Sequence, residues 1–410
     1  MSAADRDLDE VQVIDRDQWP DGPPHELFGR MRGECPVHWT THVPEFPESA
    51  GYWSVTRADD VYTVSRDWQT YSSEMGGVVA VTANFPLELM RAMFIGMDPP
   101  KHDRIKALFQ AGFTPKRIAA HEEAIRSIVV SALDELEGRE SCDLVTDVAQ
   151  PVVSRVIGSF MGIPPEDDAV WAEMMNATLG ASDPDLNPGG VEGAVQKTVP
   201  EIFERCEKMI AERRESPTDD LTSVLVHAEV EGQQLEPHEI VMGFFLLVAA
   251  GNDSTKATYC SAMRALIENP DQRQLLLDDP RLVASAVEEA LRMFPAFAHF
   301  RRTATRDAEL NGQKIAAGDK VVMWYASSNR DEERYEDPNR FDVTRNPEHQ
   351  AFGAGGRHFC LGTALARLEL RIMIEETLAR YPRMSIDGSP KFVESAFLNQ
   401  LKTLPVKLAP

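Results

Sequence analysis

Residues Ala351–Glu369 read AFGAGGRHFCLGTALARLE. Within them Cys360 stands between a glycine-rich run, Gly353, Gly355 and Gly356, and an apolar stripe formed by Leu361, Leu365, Leu368 and Ile372. The stripe advances by four, three and four residues, which is one face of a helix starting at or just after the cysteine. A thiolate at a helix N-terminus meets exposed N–H groups and the positive end of the dipole, which lowers its pKa. The glycines let the backbone turn tightly and approach something flat and bulky.

Several readings of Cys360 compete. It can be a core cysteine beside a glycine turn. It can be a nucleophile with His358 as base, although residues two apart point divergently and no third orienting group is evident. A zinc site asks for several Cys or His ligands, and only His358 is close. The remaining reading is a thiolate that ligates a haem iron and pushes electron density onto it.

The whole chain has 410 residues and a formal charge of −24. That charge argues against nucleic acid or an anionic membrane as the main partner, since both reward basic surfaces. No linker, charge block or repeat divides the chain, so a single domain over residues 1–410 is expected, with Met1–Trp19 polar and loosely ordered. The five cysteines are scattered, odd in number and never in a CxxC pair, which fits a reducing cytoplasm. The N-terminus is too acidic for a signal peptide, and the longest apolar run, Val241–Gly251, is too short to span a bilayer. A soluble, cytoplasmic monomer is expected.

Aromatic and β-branched residues recur from Val37 to Val55 and predict a small sheet. From Pro99 onward helical spacing dominates, as in Ile125, Ile128, Val129, Ala132 and Leu133, and in Val152, Val153, Val156 and Ile157. Turn signals at Asn311-Gly312 and Ala317-Gly318-Asp319 flank Lys314-Ile315 and Val321–Tyr325 and suggest short hairpins. Gly180–Gly193, rich in Pro, Gly and Asp, reads as a loop that is either a plain connector or a lid. The fold class is mostly α, with small β-sheets near both ends.

The run Gly356-Arg357-His358-Phe359-Cys360-Leu361-Gly362 resembles the haem-binding loop of cytochromes P450, F-G-x-G-x-[HR]-x-C-x-G. It departs at its start, because Phe352 stands eight residues before the cysteine instead of seven. Other motifs follow in the family's order from Asp98 to Gly362. Glu289-Ala290-Leu291-Arg292 lies on an apolar helix that Pro295 ends, and resembles the family's Glu-x-x-Arg pair; Arg340 matches the downstream arginine of that structural trio. Ala250-Gly251-Asn252-Asp253-Ser254-Thr255 resembles the oxygen-activation motif, in which the helix opens over the haem. There Asp253 would feed protons inward and Ser254, usually Thr, would steady dioxygen, with Thr255 able to compensate. Arg302, His102, Lys106 and His358 match positions that hold the haem propionates, with Lys106 where the family has Arg; Gly356, Phe359 and Gly362 complete the cofactor loop around the metal ligand Cys360.

The resemblance implies a P450 fold holding haem b between the long central helix and the cysteine-loop helix. It implies a monooxygenase fed by NAD(P)H through ferredoxin reductase and an acidic ferredoxin. Lys101, Arg104, Arg357, Arg367 and Arg371 would form a basic docking patch. Leu246, Ala249, Ala250, Phe297, Ala298, Phe397 and Leu398 would line an apolar substrate pocket, with Gly76–Ile95 as one wall. The Ser395–Asn399 tail and Phe300-Arg301-Arg302 are similar to bacterial members acting on steroids, terpenoids or alkyl chains. A peroxide-driven haem enzyme, a non-catalytic haem or ligand-binding protein, and a cysteine hydrolase stand as alternatives.

Overall fold

The computed structural model describes residues 7–10, 12–41, 50–80, 86–110, 112–181, 183–230 and 232–409. Its helices include α1 (His25–Glu34), α2 (Ala58–Arg66), α3 (Lys101–Gln110), α4 (Glu122–Asp134), α5 (Gln150–Met161), α6 (Asp168–Leu179), α7 (Val199–Glu215), α8 (Pro237–Glu268), α9 (Val283–Met293) and α10 (Thr363–Arg380). Helix α8 is 32 residues long, about 48 Å at the usual rise. Its start is fixed by Pro237 in the first turn and a reciprocal capping box between Glu236 and Glu239. Apolar residues cover it nearly all round, so it is buried by α5, α6, α7, α9 and α10 and forms the axis of the main core. No described helix is long and apolar enough to cross a membrane.

Strands β1 (Val37–Thr40), β2 (Tyr52–Val55), β3 (Tyr71–Ser72), β4 (His299–Ala304) and β7 (Lys320–Trp324) make one sheet in the order β1-β2-β7-β4-β3. β2 and β7 are parallel and the other neighbours antiparallel. Strand alternation turns Phe300 and Arg302 to one face while Arg301 takes the other. β5 (Ala308–Leu310) and β6 (Gln313–Ile315) form the expected hairpin, with Asn311 and Gly312 at φ +49° and +76°, as a tight two-residue turn requires. The strand expected next, Val321–Tyr325, joins the large sheet instead of a second hairpin, and its last residue opens the short helix Tyr325–Ser328.

One expectation needs correction. The N-terminal segment is not loosely ordered over its described part: Leu8, Val13, Ile14 and Trp19 are buried. Trp19 donates from Nε1 to Val13 O at 2.6 Å and packs on Phe28 and Trp324 with ring centroids 6.2 and 5.9 Å apart. A polar average hid four apolar anchors. The Gly180–Gly193 loop is tied down. Asp183, fully buried, accepts from Lys402 Nζ at 3.0 Å and from Glu394 N at 3.0 Å, which fastens the loop to the chain beside β8 (Lys391–Phe392) and β9 (Leu401–Thr403). Of the expected wall Gly76–Ile95, residues 81–85 lie outside the described residues.

Candidate active site

The cysteine loop is built by steric exclusion. Gly353, Gly355 and Gly356 have φ of +89°, +83° and +80°. A Cβ on Gly356 would also stand 2.8 Å from Ser65 O, so helix α2 leaves no room for a side chain. Cys360 N donates to Phe352 O at 3.0 Å and closes the loop. This closure absorbs the one-residue offset of Phe352, whose ring packs under the Arg367 guanidinium at 4.8 Å.

Cys360 faces an internal cavity, three residues before α10 begins. Burial pushes its thiol pKa up, against the Gly362 N–H and the Lys106 and Arg367 charges, which pull it down. Desolvation by the surrounding loop outweighs these pulls, although the sulfur is open to the cavity; a cationic ligand partner would hold it as thiolate. His358 does not serve as its base. His358 Nε2 pairs with Ser73 Oγ at 3.1 Å, and burial, Arg302, His102 and Lys106 hold the ring well below its usual pKa and neutral.

The cavity is a slot. Leu246, Ala250, Ser254 and Thr255 of α8 form one wall, and the cysteine loop with Leu365, Ala366 and Glu369 of α10 forms the other. Phe94, Ile95, Phe297 and Phe300 close the apolar end. The cavity has a volume of about 210 Å³. His102, His358 and Arg302 converge at one rim; the two imidazole rings lie 4.3 Å apart. Buried His102 Nε2 has no partner among the described residues, and the buried Arg302 guanidinium donates from Nη1 to Arg301 O at 2.7 Å. Convergent donors at the rim, a largely apolar slot and a facing sulfur together fit a haem with its propionates at that rim.

Several expected residues meet here: Cys360, His358, Phe359, Gly362, His102, Lys106, Arg302, Ser254, Thr255, Leu246, Ala250 and Phe297 all line the slot. Others do not. Gly356 lies behind the loop, against α2. Asp253 is buried beside the slot, ion-paired to Lys256 at 2.6 Å, while Lys256 also donates to Gln150 Oε1 and Asn176 Oδ1 at 2.7 and 2.8 Å. Helix α8 runs unbroken through this stretch instead of opening, and Ser254 Oγ returns to Ala250 O at 2.8 Å. Ala249 and Ala298 are packed into the core, while Phe397 stacks behind Phe297 at 5.0 Å and Leu398 bridges to it. These four are a second layer and not the lining.

The Glu289–Arg292 pair is fully buried and bidentate, at 2.7 and 2.8 Å. The third arginine is Arg345, not Arg340: Arg345 Nε donates to Glu289 Oε1 at 3.3 Å, whereas Arg340 offers only its backbone carbonyl to Arg292 and its side chain is exposed. The four arginines of the expected basic patch are each paired with carboxylates. Arg357 pairs with Asp103, Arg104 with Glu239, Arg367 with Glu288, and Arg371 with Glu122 and Glu375.

A carboxylate at the slot also escaped sequence reasoning. Glu369 lines the slot, 3% exposed, with Oε1 unpartnered and a hydrogen bond from Thr255. Burial pushes its pKa up to about 8 despite that bond. The signal was available: Glu369 falls four residues after Leu365 and three before Ile372, on the apolar face of α10.

Comparison with known proteins agrees with this geometry. The cytochrome P450 family profile matches residues 277–405. The chain is 37% identical to the methyl-branched lipid omega-hydroxylase of Mycobacterium tuberculosis, over 92% of this chain and 90% of that one. It is 34% identical to linalool 8-monooxygenase of Pseudomonas putida, over 94% and 96%. A Mycobacterium marinum cytochrome P450 solved with pseudoionone superposes with a TM-score of 0.91 at 35% identity, covering 99% of this chain and all of that one. A thiol facing a flat slot, a buried Glu–Arg brace behind it and relatedness over nearly the full length have one explanation in common: the chain belongs to the cytochrome P450 family of oxidoreductases.

Proposed function

We propose that the protein is a haem-thiolate monooxygenase that hydroxylates an apolar small molecule of steroid, terpenoid or alkyl-chain type. The observation that carries this reading is the single slot joining Cys360 to an apolar, aromatic end. In balance, R–H, O2, two electrons and two protons give R–OH and water. Haem b, when bound, supplies the activation of dioxygen. Cys360 is the iron ligand, and Arg302, His102 and His358 take the propionates. Phe297, Phe300, Phe94 and Leu246 orient the substrate and exclude water; no charged side chain stands among them. Thr255 and the protonated Glu369 hold a proton at the slot, and Ser254 presents a hydroxyl to it. Asp253 lies beside the slot, fixed by its ion pair with Lys256. A peroxide-driven enzyme would need no acid–alcohol pair at the slot, which favours the dioxygen reading. Electrons come from NAD(P)H through ferredoxin reductase and ferredoxin at the face of Arg357 and Arg371. The protein acts as a cytoplasmic monomer of one domain.

The test is the carbon monoxide difference spectrum of the reduced protein beside Cys360→Ala. A strongly red-shifted Soret band that the variant loses is expected. Folded protein that takes up no haem would overturn the reading. Titration with steroids, terpenoids and alkyl chains, read as displacement of the iron-bound water, then selects the substrate class.

A further inference from the structure

Helix α3 carries His102 and Lys106 one turn apart, yet the two side chains part company. His102 stays at the rim with a bare Nε2. Lys106, 9% exposed, sends its ammonium to the backbone of the cysteine loop and donates to both Arg357 O and Phe359 O, the latter at 2.7 Å. These carbonyls belong to the residues on either side of His358, and that of Phe359 immediately precedes Cys360. The neighbouring carboxylate, Asp103, is engaged by Arg357 and His102. The ammonium is thus held by two carbonyls of the cysteine loop, and it feels the charges of Cys360 and Asp103. A guanidinium is a planar fork suited to a carboxylate, whereas an ammonium is a compact charge whose rotatable donors suit two converging carbonyls.

We propose that Lys106 is a positioning residue for Cys360: it clamps the two carbonyls that set the path of the loop and holds a positive charge beside the sulfur. The proposal rests on the haem-thiolate reading. The clamp keeps the Phe359–Cys360 peptide in place when the iron is reduced, the state in which a thiolate ligand is most easily lost. The charge draws electron density from the sulfur, weakens its push onto the iron and makes reduction easier.

The experiment compares purified holoproteins of the wild type, Lys106→Met, Lys106→Gln and Lys106→Arg. The readouts are the carbon monoxide difference spectrum over time after reduction and the ferric–ferrous potential. The wild type should give a stable, strongly red-shifted band; its absence would sink the haem-thiolate reading itself and not this proposal alone. Lys106→Met should lose part of that band progressively to the unshifted position and should have a lower potential. Lys106→Gln keeps a donor but no charge, so it should retain more of the band while its potential still falls. Lys106→Arg should restore the potential. A Lys106→Met protein with a fully stable red-shifted band would overturn the clamp, even with weakened haem retention, and would place Lys106 at the propionates. Should Lys106→Met not fold, an unchanged potential in Lys106→Gln overturns the proposal by itself.

Discussion

Glu369→Gln removes an ionisable group while keeping its size and a hydrogen-bonding amide. In the folded chain burial pushes the Glu369 pKa up to about 8 from 4.5. Between those values the native state binds a proton that the unfolded chain has released. The stability tied to this group is therefore complete below the unfolded value of 4.5 and declines as pH rises toward 8. One proton corresponds to about 1.4 kcal/mol per pH unit, so the wild type should lose on the order of 3 kcal/mol between about pH 5 and about pH 7 that the glutamine variant keeps. Urea unfolding of both holoproteins at half-unit pH intervals measures this as a difference, in which all other titrating groups cancel. The variant's advantage should grow with pH and level off above about pH 8. Parallel curves would refute the argument, since they would mean that Glu369 is already ionised and stabilised in the folded protein. The same substitution should lower the product formed per NADH consumed without weakening substrate binding, because glutamine holds the geometry beside Thr255 but has no proton to give.

Glu289→Ala strands the fully buried Arg292 guanidinium and should cost about 3–5 kcal/mol in chemical denaturation; Glu289→Met with Arg292→Met should cost less than the two single variants summed. Gly356→Ala places a Cβ 2.8 Å from Ser65 O at a φ of +80°, and should cost about 1–3 kcal/mol and reduce the red-shifted carbon monoxide band. For Glu288, burial raises the pKa, but hydrogen bonds from His349 and Arg367 outweigh it and bring the group to about 2. Its stabilisation is present above 4.5 and is lost as pH falls toward 2, so Glu288→Gln should cost on the order of 3 kcal/mol at neutral pH and progressively less in acid unfolding. Because the arginines near the cysteine loop are each paired, the rate of reduction by an acidic ferredoxin should fall only shallowly with salt; a steep slope in stopped-flow kinetics would mean that those pairs open on docking.

What the sequence disclosed and what it hid divide along a physical line. Motifs whose parts are local came through intact: the glycines that tolerate positive φ before Cys360, and Glu289 with Arg292 one turn apart. Pairings across the fold did not. Arg345 rather than Arg340 reaches Glu289 because Arg340 is used through its carbonyl, and nothing in an arginine's one-letter code says whether its backbone or its side chain will be recruited. Lys256 looked like an ordinary polar residue after the Asp-Ser-Thr run; its partners Gln150 and Asn176 come from two other helices. The lining failed where regularity fails. Phe297 sits in an isolated bridge to Leu398 before β4 begins, so the two-residue alternation slips and Ala298 turns to the outer core while Phe297 and Phe300 both face the slot. Glu369 and Lys106 carry the more general lesson. Each is a charged residue on a buried helix face, where desolvation costs several kcal/mol unless something compensates. In Lys106 the compensation is the cysteine loop itself; in Glu369 it is retention of the proton. A helix face that admits such a residue next to a slot marks where function has overridden stability, and in α10 the spacing of Leu365, Glu369 and Ile372 alone carries that mark.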